Sequence, residues 1–153
     1  MTNAAVSRYR RRRRLPGKSA RSGVSAPVRV AQHYLVECSG VSKKLLNDPR
    51  ALEKICLRFL RSARVTVLHT HFHQFMPYGV TGIIIVAESH LAIHTWPEFN
   101  YCAVDFLTCK KNLSRQDPTG FFKKNLQLAH IRTRKIPRIK GPSGPDGKAI
   151  RQR

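Results

Sequence analysis

Acidic side chains are scarce in this 153-residue chain: 8 Asp and Glu stand against 29 Lys and Arg, a formal net charge of +21 with His neutral. Long apolar runs are missing too. No stretch approaches the roughly 18 residues that a membrane-spanning helix needs, which excludes a helical membrane protein. No apolar segment follows the N-terminal basic residues, so no secretory signal is expected and the cytoplasm is the default compartment. The four cysteines, Cys38, Cys56, Cys102 and Cys109, contain no Cys-x-x-Cys pair. A zinc ribbon is therefore unsupported, and a disulfide framework has no oxidising compartment to form in. There is no Gly-rich phosphate loop and no zincin motif, so the two commonest sequence routes to an enzyme assignment are empty.

Most of the excess positive charge sits at the ends. Residues 1–29 hold nine basic and no acidic side chains, residues 30–129 hold twelve and seven, and residues 130–153 hold eight and one. Arg10 to Arg14 form an unbroken run within a Ser-, Ala-, Pro- and Gly-rich stretch, the composition of a solvated tail. An organellar transit peptide shares this bias, but the clustered arginines lack an apolar helical face. The expected organisation is a basic disordered tail over 1–27, one domain over 28–138 and a second basic disordered tail over 139–153. Such tails can also contact nucleic acid through phosphate charge.

Within the domain, period-two alternation begins at Val28 and marks a strand. Asp48 and Pro49 then form an N-cap and first helical position, and Leu52, Ile55, Cys56, Phe59 and Leu60 follow at helical spacing. From Arg64 the pattern returns to β. His69, His71 and His73 fall on one strand face, and Pro77-Tyr78-Gly79 reads as a turn. Ile83 to Ala87 reads as a buried strand, Leu91 to Trp96 and Tyr101 to Cys109 as two more. Asp117-Pro118 repeats the helix start, with Phe122, Leu126 and Ala129 as its apolar stripe, and a last strand is expected around Ile131 to Ile136. Strand, helix, several strands, helix, strand is the order of an α+β fold: a two-layer α/β sandwich, an antiparallel sheet with helices on one face.

Reactive groups concentrate in residues 72–109. Three blocks, Phe72-His73-Gln74-Phe75-Met76-Pro77-Tyr78-Gly79-Val80-Thr81-Gly82, Glu88-Ser89-His90-Leu91-Ala92-Ile93-His94-Thr95-Trp96-Pro97-Glu98 and Ala103-Val104-Asp105-Phe106-Leu107-Thr108-Cys109, resemble the small prokaryotic S-adenosylmethionine decarboxylases. The resemblance extends more weakly from about Ala31 to about residue 136. It implies a self-cleaving, pyruvoyl-dependent lyase that supplies the aminopropyl donor for spermidine and other polyamines.

The implied cut is at Glu88-Ser89, and the residue types suit it. The Ser89 hydroxyl can reach the Glu88 carbonyl through a five-membered ring and exchange the amide for an ester, a better leaving group. Loss of the Ser89 Cα proton expels the Glu88 carboxylate and leaves a dehydroalanine, which water hydrolyses to a pyruvoyl group in place of Ser89 with loss of ammonia. By resemblance His94 is the processing base, a role that imidazole fills near working pH. Thr81 assists processing where the family commonly has serine; its hydroxyl is kept, and its methyl restricts the rotamer. Residues 1–88 become the β chain and 89–153 the α chain. The pyruvoyl carbonyl then takes the substrate amine as a Schiff base, an electron sink for decarboxylation, and Cys109 is the implied proton donor. Phe75 matches an aromatic residue that stacks on adenine, and Glu98 the carboxylate that accepts from the ribose hydroxyls. A homodimer of αβ protomers is implied as well.

Other residues are assigned to structure. Cys102 stands where the family usually has alanine, and is read as a buried thiol opposite the Cys109 face. Asp105 is read as a structural carboxylate. Only His73 of the histidine row matches the family, and no metal is expected. Two alternatives remain: a pyruvoyl-dependent arginine or ornithine decarboxylase, with the same fold and chemistry but another substrate, and an inactive homologue that binds nucleic acid through its basic tails. Phe75 and Glu98 favour the nucleoside substrate over the former.

Overall fold

The computed structural model of the chain describes residues 27–110, 113, 117–127 and 129–140. The expected basic tails fall almost wholly outside these residues. Six strands, β1 (Val28–Ser39), β2 (Val67–Gln74), β3 (Val80–Val86), β4 (Ser89–Trp96), β5 (Tyr101–Thr108) and β6 (His130–Lys140), form one sheet in the order β2-β3-β4-β5-β1-β6. Every neighbouring pair is antiparallel. Helices α1 (Lys43–Leu46), α2 (Pro49–Ser62) and α3 (Pro118–Leu126) complete the described elements, with a 3₁₀ turn at Pro97–Phe99.

Helix α2 starts where its sequence says it should. The Asp48 carboxylate accepts from the Ala51 N–H at 3.0 Å, satisfying an amide that the first turn leaves without a partner, and Pro49 follows where no N–H is needed. Leu52, Ile55, Cys56, Phe59 and Leu60 are its buried stripe. Phe59 is central: its ring meets Phe106 of β5 edge-on at 5.2 Å and Phe122 of α3 at 5.1 Å. Truncation of such a side chain to alanine costs about 3–5 kcal/mol. Asp117 caps α3 in the same way, accepting from Thr119 and Gly120 N–H groups.

The strands contribute alternate residues to this core: Val36 and Cys38, Val104 and Phe106, Leu91 and Ile93, Ile84 and Val86. Gly82 is required there, since a Cβ at that position would lie 2.2 Å from the Phe72 ring. The result is the expected two-layer sandwich with helices on one face. One reading needs correction. Ile83 to Ala87 looks continuously apolar, as a strand buried on both faces would, yet Ile83 and Ile85 are 43% and 45% exposed. Helices cover only the even-numbered side of β3, so the odd-numbered isoleucines stand on the open face of the sheet. Other extents differ as well: α1, capped by Ser42, is an added element; α3 ends at Leu126, where Gln127 turns left-handed, so Ala129 lies outside the helix and donates its N–H to the Ser39 carbonyl instead; β4 begins at Ser89 rather than Leu91; and β6 runs on to Lys140. The longer β6 takes in Ile139 and Lys140, because pairing with β1 continues to Val28.

Candidate active site

The residues singled out from sequence form two clusters, at opposite ends of β4. The first is the β3–β4 hairpin. Ala87 donates its N–H to the Thr66 carbonyl at 2.9 Å, and the Glu88 carboxylate accepts from the Thr66 N–H at 3.2 Å, so the turn is pinned to the chain entering β2. The Cys109 N–H donates to the Glu88 carbonyl oxygen at 3.0 Å. Ser89 has φ 141°, a backbone region that favours glycine, and is the first residue of β4. Its hydroxyl lies 3.3 Å from Nδ1 of His90, a neighbour that residue type and spacing give no role. Cys109 is exposed, whereas Cys38, Cys56 and Cys102 are buried.

Those buried thiols fit structural roles. Burial, followed by the nearby Glu53 carboxylate, pushes the Cys56 thiol up to about 12. The Cys102 thiol is also pushed up, first by its hydrogen bond with Cys38 and then by burial. Both stay protonated and unreactive near neutral pH. Asp105 lies 3.6 Å from His33 Nε2 on the open face of the sheet.

The second cluster surrounds His94. Thr81 and His94 are direct partners across β3 and β4, and Thr81 Oγ1 is 3.0 Å from His94 Nδ1, an arrangement that fixes the ring. They share a cleft of about 370 Å³ with Phe75, Tyr78, Trp96 and Glu98. Phe75 and Tyr78 project from the β2–β3 loop, and Glu98 from the 3₁₀ turn after β4. Gly79, at φ 102°, returns this loop to β3, its carbonyl accepting from the Phe75 N–H at 2.8 Å. Asn47, at the end of α1, holds the loop from outside: its Oδ1 accepts from the Gly79 N–H and its carbonyl from Gln74 Nε2, both at 3.0 Å. Behind His94, the buried Thr95 hydroxyl accepts from the Val80 N–H at 2.7 Å and donates to the Leu46 carbonyl at 2.8 Å, tying β3, β4 and α1 together. In sequence Asn47 is visible only as the residue before a helix cap.

Phe75, Thr81, His94 and Glu98 are thus brought together, as are Glu88, Ser89 and Cys109, but the two groups do not meet within one chain. Ser89 pairs with Val86 and Thr108, while His94 pairs with Thr81 and Ala103. Five strand steps separate them, about 17 Å at 3.4 Å per residue. His69, His71 and His73 lie along β2 at the edge of the sheet, opposite Ile85, Ile83 and Thr81. Among the described residues no group of three or more His, Cys, Asp or Glu side chains is placed to hold a metal ion.

Residues 32–139 match the family model of S-adenosylmethionine decarboxylase. The chain is 35% identical over 109 residues to the S-adenosylmethionine decarboxylase proenzyme of Caldicellulosiruptor saccharolyticus, covering 71% of this chain and 88% of that one. It is 36% identical over 109 residues to the proenzyme of that name from Moorella thermoacetica, covering 71% and 87%. The fold is that of the crystal structure of the adenosylmethionine decarboxylase from Aquifex aeolicus, with a TM-score of 0.60 at 24% identity over 80% of this chain and 93% of the other.

Proposed function

The chain belongs to the S-adenosylmethionine decarboxylase family and is a pyruvoyl-dependent decarboxylase proenzyme; from that premise we propose that it cleaves itself between Glu88 and Ser89 and decarboxylates S-adenosylmethionine in a site shared by two copies. One observation carries the cleavage reading: the Glu88 carbonyl, Ser89 and Cys109 converge at the hairpin, with the carbonyl oxygen held by the Cys109 N–H at 3.0 Å. When Ser89 Oγ attacks that carbonyl carbon, negative charge develops on its oxygen. A fixed N–H donor already points there, which lowers the barrier without reorganisation. The positive φ of Ser89 supports the same bond as the one to break, since a non-glycine residue in that region stores strain that cleavage releases.

The pyruvoyl group fits because Ser89 is its own precursor, and once formed it supplies an electron-accepting carbonyl for the substrate amine. What the rest of the chain does follows from position. Cys109, the exposed thiol beside Ser89, delivers the proton that replaces CO2. Phe75 stacks on the adenine, and the Glu98 carboxylate accepts hydrogen bonds from the ribose hydroxyls in the same cleft. A bare amino acid such as arginine offers neither partner. His94, oriented by Thr81, removes the Ser89 Cα proton during maturation.

That last step needs a second copy, given about 17 Å between Ser89 and His94 along one strand. The open face of the sheet carries Ile83, Ile85, Ala92, Leu107 and Leu35 in adjoining strands, with Asp105 and His33 among them, a largely apolar surface that no described helix covers. Two such faces related by a two-fold axis crossing β4 near its midpoint place the hairpin of each over the His94 cluster of the other. Two equal sites result. The test is CO2 release from carboxyl-labelled S-adenosylmethionine: it is expected from the purified protein and not from Ser89→Ala. Release from the variant at the parental rate overturns the reading.

A further inference from the structure

At the Cys109 end of the sheet, a cleft separate from the His94 cluster collects positive charge. It lies where β1 begins and β5 ends, and Arg29, Lys110 and Lys135 line it together with Gln32, Thr108 and Cys109. No carboxylate of the described residues lines it. Among the described residues the ion pair found is His33 with Asp105, which leaves Arg29 and Lys135 without an acidic partner there. Lys110 forms a wall, its Nζ donating to the carbonyls of Ala63 and Arg64 at the end of α2. Lys135 is held over the Tyr34 ring, 5.3 Å from its centroid.

The second observation is Gln32. It is only 7% exposed, and its side-chain Nε2 has no hydrogen-bond acceptor among the described residues. Buried amide donors are nearly always satisfied, so one left open beside unpaired cations calls for an oxygen acceptor bearing negative charge. Water would answer the amide but not the charge. At about 50 Å³ the cleft suits a single small anion and not a nucleotide.

We propose that this cleft binds a compact oxyanion, a carboxylate or a phosphate, next to the Cys109 thiol. One anion oxygen takes the Gln32 amide while the others face Arg29 and Lys135. Two sources share that chemistry: free phosphate, and the α-carboxylate of the substrate. Only the second rests on the function proposed above. It deepens that function, because the carboxylate to be lost would be anchored beside the group that replaces it with a proton.

The full chain carrying Ser89→Ala provides the first test without any catalysis. Cys109 is its exposed cysteine, so its alkylation by iodoacetamide reports on occupancy of the cleft. Inorganic phosphate and acetate are titrated separately, with chloride holding ionic strength constant. Saturable slowing of about threefold or more is expected for one or both, since a seated anion blocks access to the thiol. The slowing is expected to vanish in Arg29→Gln/Lys135→Gln, both exposed positions where substitution leaves the core intact. In the cleaved enzyme, the same double variant raises KM about tenfold if the substrate carboxylate is the occupant, the loss expected for a charge-assisted hydrogen bond. Lost phosphate protection without that rise identifies free phosphate. Alkylation that follows ionic strength alone, together with an unaltered KM, overturns the proposal. Failure to release CO2 would leave the alkylation result readable, so the two readings fail separately.

Discussion

Co-expression of two inactive variants, Ser89→Ala and His94→Ala, distinguishes a shared site from one built within a single chain. Each homodimer is expected to be inactive, lacking either the proposed pyruvoyl precursor or the proposed processing base. In a mixed dimer the outcome depends on geometry. Ser89 and His94 are five residues apart on β4, about 17 Å in extended strand, and a proton transfer needs about 3 Å. If each site takes its hairpin from one copy and its His94 cluster from the other, the mixed dimer contains one site with both residues intact and one with neither. Random pairing makes half the dimers mixed, and one site in two is sound in each, so about a quarter of parental activity returns. CO2 release from differently tagged, co-purified subunits measures it. A verified mixed dimer with no activity above either parent refutes the shared site, because both of its sites would then carry a lesion.

Three further outcomes follow from particular contacts. Asn47→Ala removes the acceptor for the Gly79 N–H and frees the loop carrying Phe75 and Tyr78. KM is expected to rise about three- to tenfold with kcat little changed, the scale of one net hydrogen bond, and Asn47→Asp, which keeps an acceptor oxygen, restores it; equal damage to kcat and self-cleavage would mean a structural role instead. Glu98→Gln leaves cleavage intact and raises KM about tenfold or more through loss of a charged acceptor, whereas an unchanged KM removes Glu98 from the site. The Cys56 thiol, pushed up from 9.0 to about 12, gives the third. Its folded form holds the proton more tightly than the unfolded chain does, so this contribution to stability is complete below pH 9 and is lost as pH rises towards 12. Urea unfolding of Cys56→Ala is expected to show a less stable protein whose stability falls less steeply over that window; parallel slopes refute the assignment.

Much of the fold was legible because its signals are local. Asp48-Pro49 and Asp117-Pro118 mark helix starts through groups within three residues of each other, and alternation along β1 and β5 follows from strand geometry alone. What is exposed on the far side of the sheet was not legible. Ile83 and Ile85 look like core because no local pattern says how many layers cover a sheet. The candidate site divides in the same way. Glu88, Ser89, His94 and Cys109 could be named only because three sequence blocks resemble a known family, and their separation could not, since five residues that would lie within two turns on a helix span a strand from end to end. Asn47 and the cationic cleft escaped for a related reason. Gln74 and Gly79 lie 27 and 32 residues from Asn47, and Arg29, Lys110 and Lys135 meet only through sheet pairing.

The intact masses of the purified chains test the central claim most directly. Self-cleavage predicts two species, one ending at Glu88 and one beginning with a pyruvoyl group at position 89 and therefore closed to N-terminal sequencing, with Ser89→Ala remaining a single chain. A stable, uncut 153-residue protein that nevertheless decarboxylates S-adenosylmethionine would contradict the account.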